Sequence, residues 1–260
     1  MRDETRIEIM RMEFLEQAYG VQEGTRSPAV LFEKIRDDPD IAVFVIGYPR
    51  ILKIANDDGW TMAHEAARHK DAALALTKLP DILKMADKNG RTVAHVAAGY
   101  ESAAAVMAKM PDILRLADGN GLTVAHEVAS FEAPAEELTK LPDILRLRDK
   151  NGRTVAHEVA DHEKAALELM AYPDILTLAD NNHWTVAHEA AFFHEDAALE
   201  LTKFDDILKL VDSSGYAVAY YVARYKGAAM ELLKMPDILK ITDKDGLPLV
   251  STIETMLNGR

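Results

Sequence analysis

The fold class that this chain predicts is an all-α solenoid of helix-turn-helix units about 31 residues long, and three observations predict it. Asp87, Asp118, Asp149 and Asp180 lie 31 residues apart. Thr61, Thr92, Thr123, Thr154 and Thr185 keep the same interval, and each opens a Thr-Met-Ala-His or Thr-Val-Ala-His tetrapeptide that ends at His64, His95, His126, His157 and His188. The segment Pro-Asp-Ile-Leu returns at Pro80, Pro111, Pro142, Pro173 and Pro236. A fixed period of this length marks a repeat array, whose units are too small to bury their own apolar faces and therefore stack on their neighbours.

The elements follow in chain order. Residues 1–24 predict a capping helix, because Ile7, Met10, Phe14 and Leu15 are spaced to cover the open end of a stack. Residues 25–242 hold seven repeats. The first is degenerate and begins near Thr25; its stretch from Asp40 aligns without a gap on the stretch from Asp71. In the complete copies a finger comes first. Asp87 to Arg91 reads Asp-Lys-Asn-Gly-Arg, where Asn-Gly predicts the positive backbone dihedrals of a tight hairpin. Thr92 then stands at a helix N-cap, with a hydroxyl able to accept from an orphan N–H of the first turn. In the second helix of the preceding copy, Ala73, Leu76 and Leu79 form an apolar face that Pro80 terminates. Ile82, Leu83 and Met85 lead back under the stack. The last full copy, Asp212 to Thr242, carries Tyr220 in the histidine position and is displaced by a one-residue insertion near Phe192 to His194. Residues 243–260 form a truncated copy that caps the other end.

Composition narrows the function classes. The chain has 260 residues and no cysteine, with 30 Lys and Arg against 43 Asp and Glu for a net charge of -13. A disulfide framework and any cysteine-ligated metal or thiolate nucleophile are excluded. The acidic balance opposes direct nucleic-acid binding, which needs clustered cations. The amino terminus mixes charges of both signs and lacks a secretory apolar core, and the longest apolar run, Ile41 to Ile46, is far short of the ~20 residues that span a bilayer. The expectation is a monomer without membrane insertion, located in the cytoplasm, or in a host cell if it is an effector.

Asp87 to Ala98, Asp-Lys-Asn-Gly-Arg-Thr-Val-Ala-His-Val-Ala-Ala, resembles the ankyrin repeat: an Asp, Gly and Thr signature, a Thr-Pro-Leu-His-like tetrapeptide and a small-residue pair. Five copies match closely and a sixth partly. The resemblance implies a hairpin or loop finger followed by two antiparallel helices, and a structural role for the Thr and His of each copy. The departures are Val or Met for the family's proline, Ala for its leucine, no interhelical glycine, a proline in place of the glycine after helix two, and a unit two residues shorter. Pro-Asp-Ile-Leu is therefore open between a helical turn and a finger strand.

No enzymatic pattern stands up. His64, His126, His157 and His188 each precede Glu, but His64 and His69, like His157 and His162, are five apart, which rotates the second imidazole off the face that a helical zinc site needs. No Gly-rich phosphate loop, nucleophile elbow or EF-hand loop occurs. The expectation is a non-catalytic protein with no metal and no cofactor.

Subtracting the repeat leaves the variable positions. Before each Thr stand Trp60, Arg91, Leu122, Arg153 and Trp184, with Tyr216 in the sixth copy; beyond the small-residue pair come Tyr100, Phe131, Phe192 and Phe193, and Tyr221 follows Tyr220. By the resemblance these are finger tips and the ends of helix one, which line a concave groove. Eight of the seventeen aromatics lie between Trp184 and Tyr225, and aromatics dominate interface energetics. Three consecutive units from Asp118 to Val211 hold 11 of the 13 excess negative charges, and Glu127, Glu158 and Glu189 share one repeat position. The predicted function is a protein-protein interaction scaffold. Its partner-binding residues are Trp60, Arg91, Tyr100, Phe131, Arg153, Trp184, Phe192, Phe193, Tyr216 and Tyr221, with the glutamate row favouring a basic partner. The alternative is an acidic inhibitor, or nucleic-acid mimic, that occupies the basic cleft of a nucleic-acid-binding protein.

Overall fold

The computed structural model describes residues 2–22 and 27–258, and side chains for 8–21 and 27–258. The predicted start of the first repeat near Thr25 and the side chain of Ile7 lie outside these. The chain falls into two compact units, Met1–Val128 and Ala129–Arg260. Helices dominate both. Among the described residues β-structure is confined to isolated antiparallel bridges, such as Ala86 with Thr92.

In the first unit the helix Arg2–Gln22 buries Phe14 and Ala18 and packs on Ala29–Asp37 and Pro39–Phe44. Those two are the helices of the degenerate copy. Asp38 separates them because its carboxylate accepts the backbone N–H groups of Asp40 and Ile41 at 2.9 and 3.3 Å, and Pro39 sits at the first helical position, where its missing N–H costs nothing. The next copies run Met62–Ala66, Lys70–Leu76 and Pro80–Leu83, then Val93–Ala97, Glu101–Met107 and Pro111–Leu114, and the unit closes with Val124–Val128. Helices this short are not stable alone. They persist because Ala63, Ala66, Ala72, Ala73 and Leu76, all fully buried, let backbones pack closely. A fully buried leucine such as Leu76 contributes about 2 kcal/mol of burial.

Pro-Asp-Ile-Leu is a helical turn. Pro80–Leu83 begins on its proline, and the turn drives Ile82 and Leu83 into the core. The finger differs from the sequence expectation. Gly90 has φ 79°, while Asn89 keeps negative φ. Asp87 O accepts from Gly90 N–H at 3.0 Å, which makes a type I turn followed by one left-handed glycine, in place of a hairpin turn with two positive dihedrals. The aspartate explains it: Asp87 Oδ1 accepts the N–H groups of Asn89 and Arg91, each at 2.9 Å, and so holds the turn. Consecutive fingers are joined by backbone bonds, Lys88 N–H to Asp58 O at 2.9 Å and Gly119 N–H to Asn89 O at 2.6 Å. A Cβ on Gly119 would stand 2.6 Å from that oxygen, so only glycine fits.

The second unit repeats the plan: Glu132–Leu138 and Pro142–Leu145; Val155–Val159, Glu163–Leu169 and Pro173–Leu176; Val186–Phe193, Glu195–Leu201 and Asp205–Leu208; Val218–Val222 and Lys226–Leu232; and Leu249–Leu257. Two irregularities concentrate in one copy. Its first helix, Val186–Phe193, has eight residues where the other complete copies have five. Its finger, Asp180 to Trp184, places His183 at φ 58° where the others place glycine.

Candidate functional site

The Thr and His pairs form the frame. Thr61 Oγ1 and His64 Nδ1 are 2.7 Å apart, and Nδ1 also accepts the Thr61 backbone N–H at 3.1 Å. The ring is therefore the neutral Nε2–H tautomer, and it donates to Arg91 O at 3.0 Å on the next finger. His95 does the same to Leu122 O at 3.0 Å, His157 to Trp184 O at 2.9 Å and His188 to Tyr216 O at 3.4 Å. Thr92, Thr123, Thr154 and Thr185 hold His95, His126, His157 and His188 at the same 2.7 Å. Burial pushes the imidazoles of His64, His95 and His157 below their ordinary value, and that of His188 down to about 4. Tyr220 fills the histidine place in the sixth copy, its phenol donating to Leu247 O at 2.5 Å.

A second set of side chains ties helix two to the preceding copy. His69 donates to Ile35 O at 2.8 Å, and Tyr100 to Arg68 O, in the first unit; His162 reaches Ala129 O, His194 reaches Ala160 O and Tyr225 reaches Phe192 O in the second. His64 and His69 thus end on separate carbonyls. Among the described residues no group of three His, Asp or Glu is arranged to hold a metal ion.

The glutamate row is bound up with cations. In the first unit Glu65 accepts from Arg36 at 2.8 Å, Arg68 at 3.2 Å and the Trp60 indole at 2.9 Å, and Arg91 pairs with Glu127 at 3.4 Å. In the second, Arg153 donates to Glu158 and Glu189 at 2.6 Å each and lies 3.7 Å from Asp161. Trp184 adds its indole N–H to Glu189, whose side chain is only 7 % exposed. Burial alone would raise the Glu189 carboxyl, but hydrogen bonds from Arg153 and Asp161 outweigh it and hold the group below its ordinary value. Asp161 is pushed up to about 8 by desolvation and the neighbouring Glu189. Glu127, Glu158 and Glu189 therefore share a position as the period predicts, each with an arginine against it.

The aromatic residues of the second unit gather around Trp184. Its ring lies 5.0 Å from Tyr221 and 6.0 Å from Phe192, both edge-on, and Phe192 meets Phe193 at 4.9 Å. Tyr221 is anchored by its hydroxyl, which donates to the buried Asp212 at 2.7 Å. The extra turn of Val186–Phe193 carries Phe192 and Phe193 outward, 36 % and 53 % exposed. Arg224 stacks on Phe192, its guanidinium carbon 4.6 Å from the ring centroid. Tyr216 packs on Tyr220 at 5.7 Å, and Phe131 sits half-buried at the N-cap of Glu132–Leu138. Trp60 stacks on its own histidine, His64, at 4.7 Å.

Sequence reasoning did not single out Asp161, Asp212 or Arg224 for the site. Asp161 and Arg224 stand at the variable repeat position directly before that of Tyr100 and Phe131, so their positions were readable and their contacts were not. Asp212 opens its finger as Asp87 does, which hid its second role under Tyr221.

No protein-family model matches this chain, and no curated protein matches it. Among solved structures, the ankyrin repeat domain of Bcl-3, described as a unique member of the IκB protein family, aligns with TM-score 0.52 and 16 % identity over 80 % of this chain and 98 % of that one. A chain from the complex of the predatory endopeptidase Bd0816 of Bdellovibrio bacteriovorus with immunity protein Bd3460 aligns with TM-score 0.47 and 20 % identity over 66 % and 94 %. The likeness to the first is one of fold: this chain has the ankyrin-repeat solenoid fold.

Proposed function

We propose that this chain is a non-catalytic binding protein whose second unit docks a partner protein on the aromatic cluster of Trp184, Phe192, Phe193 and Tyr221. The observation that carries this reading is Phe193, a large apolar side chain 53 % exposed at the end of a helix that has eight residues here and five in the other complete copies. Exposed aromatics on a rigid support are the usual anchors of protein interfaces, because they lose little conformational entropy on burial. Trp184 is braced by Glu189, Tyr221 by Asp212 and Phe192 by its neighbours, so the surface is organised before any partner arrives. The same bonds argue against catalysis. The recurring histidines are neutral, capped and committed to backbone carbonyls, which leaves no imidazole there to move protons.

The second reading, an acidic inhibitor for a basic cleft, draws no support from the glutamate row, since arginines already engage Glu127, Glu158 and Glu189. The test is capture of partners with wild type and Phe193→Ala as paired baits of equal thermal stability, followed by a measured Kd for the purified partner. The expected result is a weakening of about tenfold or more for Phe193→Ala. A partner held equally by both baits places the interface elsewhere and overturns the reading.

A further inference from the structure

Arginines on the finger and helix-one face fall into two kinds. Arg153 is enclosed by carboxylates, with Glu158 and Glu189 at 2.6 Å and Asp161 at 3.7 Å. Arg224 is exposed, stacks on Phe192 at 4.6 Å, and among the described residues has no carboxylate paired with it. That is a notable arrangement in a chain with 43 acidic against 30 basic residues. A guanidinium lying on an aromatic face keeps its edge donors directed away from the ring, in the fork geometry that receives a carboxylate by two parallel hydrogen bonds. Its platform is fixed as well: Phe192 is braced by Phe193 at 4.9 Å and Trp184 at 6.0 Å, and its backbone carbonyl accepts from Tyr225 at 3.1 Å.

We propose that Arg224 seats an aspartate or glutamate side chain of the partner, whose adjacent apolar side chain covers Phe193. This rests on the docking reading above and gives the partner its chemistry: an acidic, apolar segment, the opposite sign to that expected from net charge.

The test selects from a phage library of random linear peptides fused at both ends, with wild type as bait, and then measures Kd for a synthetic winner. The expected motif places Asp or Glu beside Leu, Phe, Met or Trp. Arg224→Gln, with an unchanged Tm, weakens the winner by about tenfold. Arg224→Lys is weakened as well, because an ammonium lacks the planar face that stacks on Phe192. Phe193→Ala loses the same peptide. Basic or uncharged winners that bind Arg224→Gln as well as wild type, yet are lost on Phe193→Ala, overturn the carboxylate seat and leave the docking face standing. Winners indifferent to both substitutions, or no enrichment, overturn both.

Discussion

His183 is where a single residue departs most clearly from the repeat. It holds φ 58°, whereas Gly59, Gly90, Gly121, Gly152, Gly215 and Gly246 hold φ between 77 and 83° at the same point of their fingers. An L-residue in that region costs about 1–2 kcal/mol, part of which glycine gives back through its freer unfolded chain. His183→Gly is therefore expected to raise stability by about 1 kcal/mol, read as a higher urea midpoint with an unchanged slope; a lower midpoint would show that the imidazole makes a compensating contact. At this scale the sequence was legible where chemistry is local. The Thr and His caps span three residues, and a hydroxyl before a short helix announces its role. The Arg91 to Glu127 and Arg153 to Glu189 pairs span 36 residues, and nothing in the spacing of charges along the chain says which arginine answers which glutamate. Tyr220 lies between these cases: the period marks it as a substitution, but its 2.5 Å bond to Leu247 O emerges only when the finger is in place.

The element with most to explain is the helix Val186–Phe193. An extra residue in a repeat can bulge a loop or lengthen a helix, and the sequence located the insertion without choosing. The choice is made by His194, whose Nε2–H donates to Ala160 O at 3.1 Å just as His162 donates to Ala129 O. With the start of helix two pinned to the preceding copy, the additional residue can only extend helix one outward. Deleting Phe193 restores the 31-residue interval, and the expected product keeps its far-UV circular dichroism and lies within about 2 kcal/mol of wild-type stability, yet fails to bind the peptide selected by wild type. A deletion variant that still binds would place the anchor on Trp184, Phe192 and Tyr221 without Phe193. The fingers teach the same lesson in reverse. Asn-Gly is a strong hairpin signal, but here the aspartate two residues before the asparagine captures two backbone N–H groups and selects the type I turn, so only the glycine takes a positive φ.

Across the whole chain, acid sensitivity follows from the buried imidazoles. His64, His95, His157 and His188 bind protons less readily folded than unfolded, so the unfolded chain protonates first as pH falls. Their contribution is complete above about pH 6.5, the unfolded value, and is lost progressively below it. For His188, lowered to about 4, the loss at pH 5 is about 2 kcal/mol. Asp161, raised to about 8, works in the opposite sense over the same range, so the imidazole effect is read as a difference: between pH 7 and pH 5 a His188→Gln variant is expected to lose less stability, relative to its own value at pH 7, than wild type does, and equal changes in the two would mean that the His188 ring is already charged in the fold. The architecture was the most legible level of all, because a period is a property of the entire string and survives local substitutions. The proposed interface was the least, because its residues are those that break the period. The bond from His64, His95, His157 and His188 to the carbonyl 27 or 28 residues onward has a further implication. Its donor and acceptor are the same two atoms in these four copies, a common plug and socket. Copies are thereby interchangeable parts: a gene segment of one period can be duplicated, excised or exchanged in frame and its product still finds a matching joint on either side, so new binding faces can be assembled by recombination without redesigning the core.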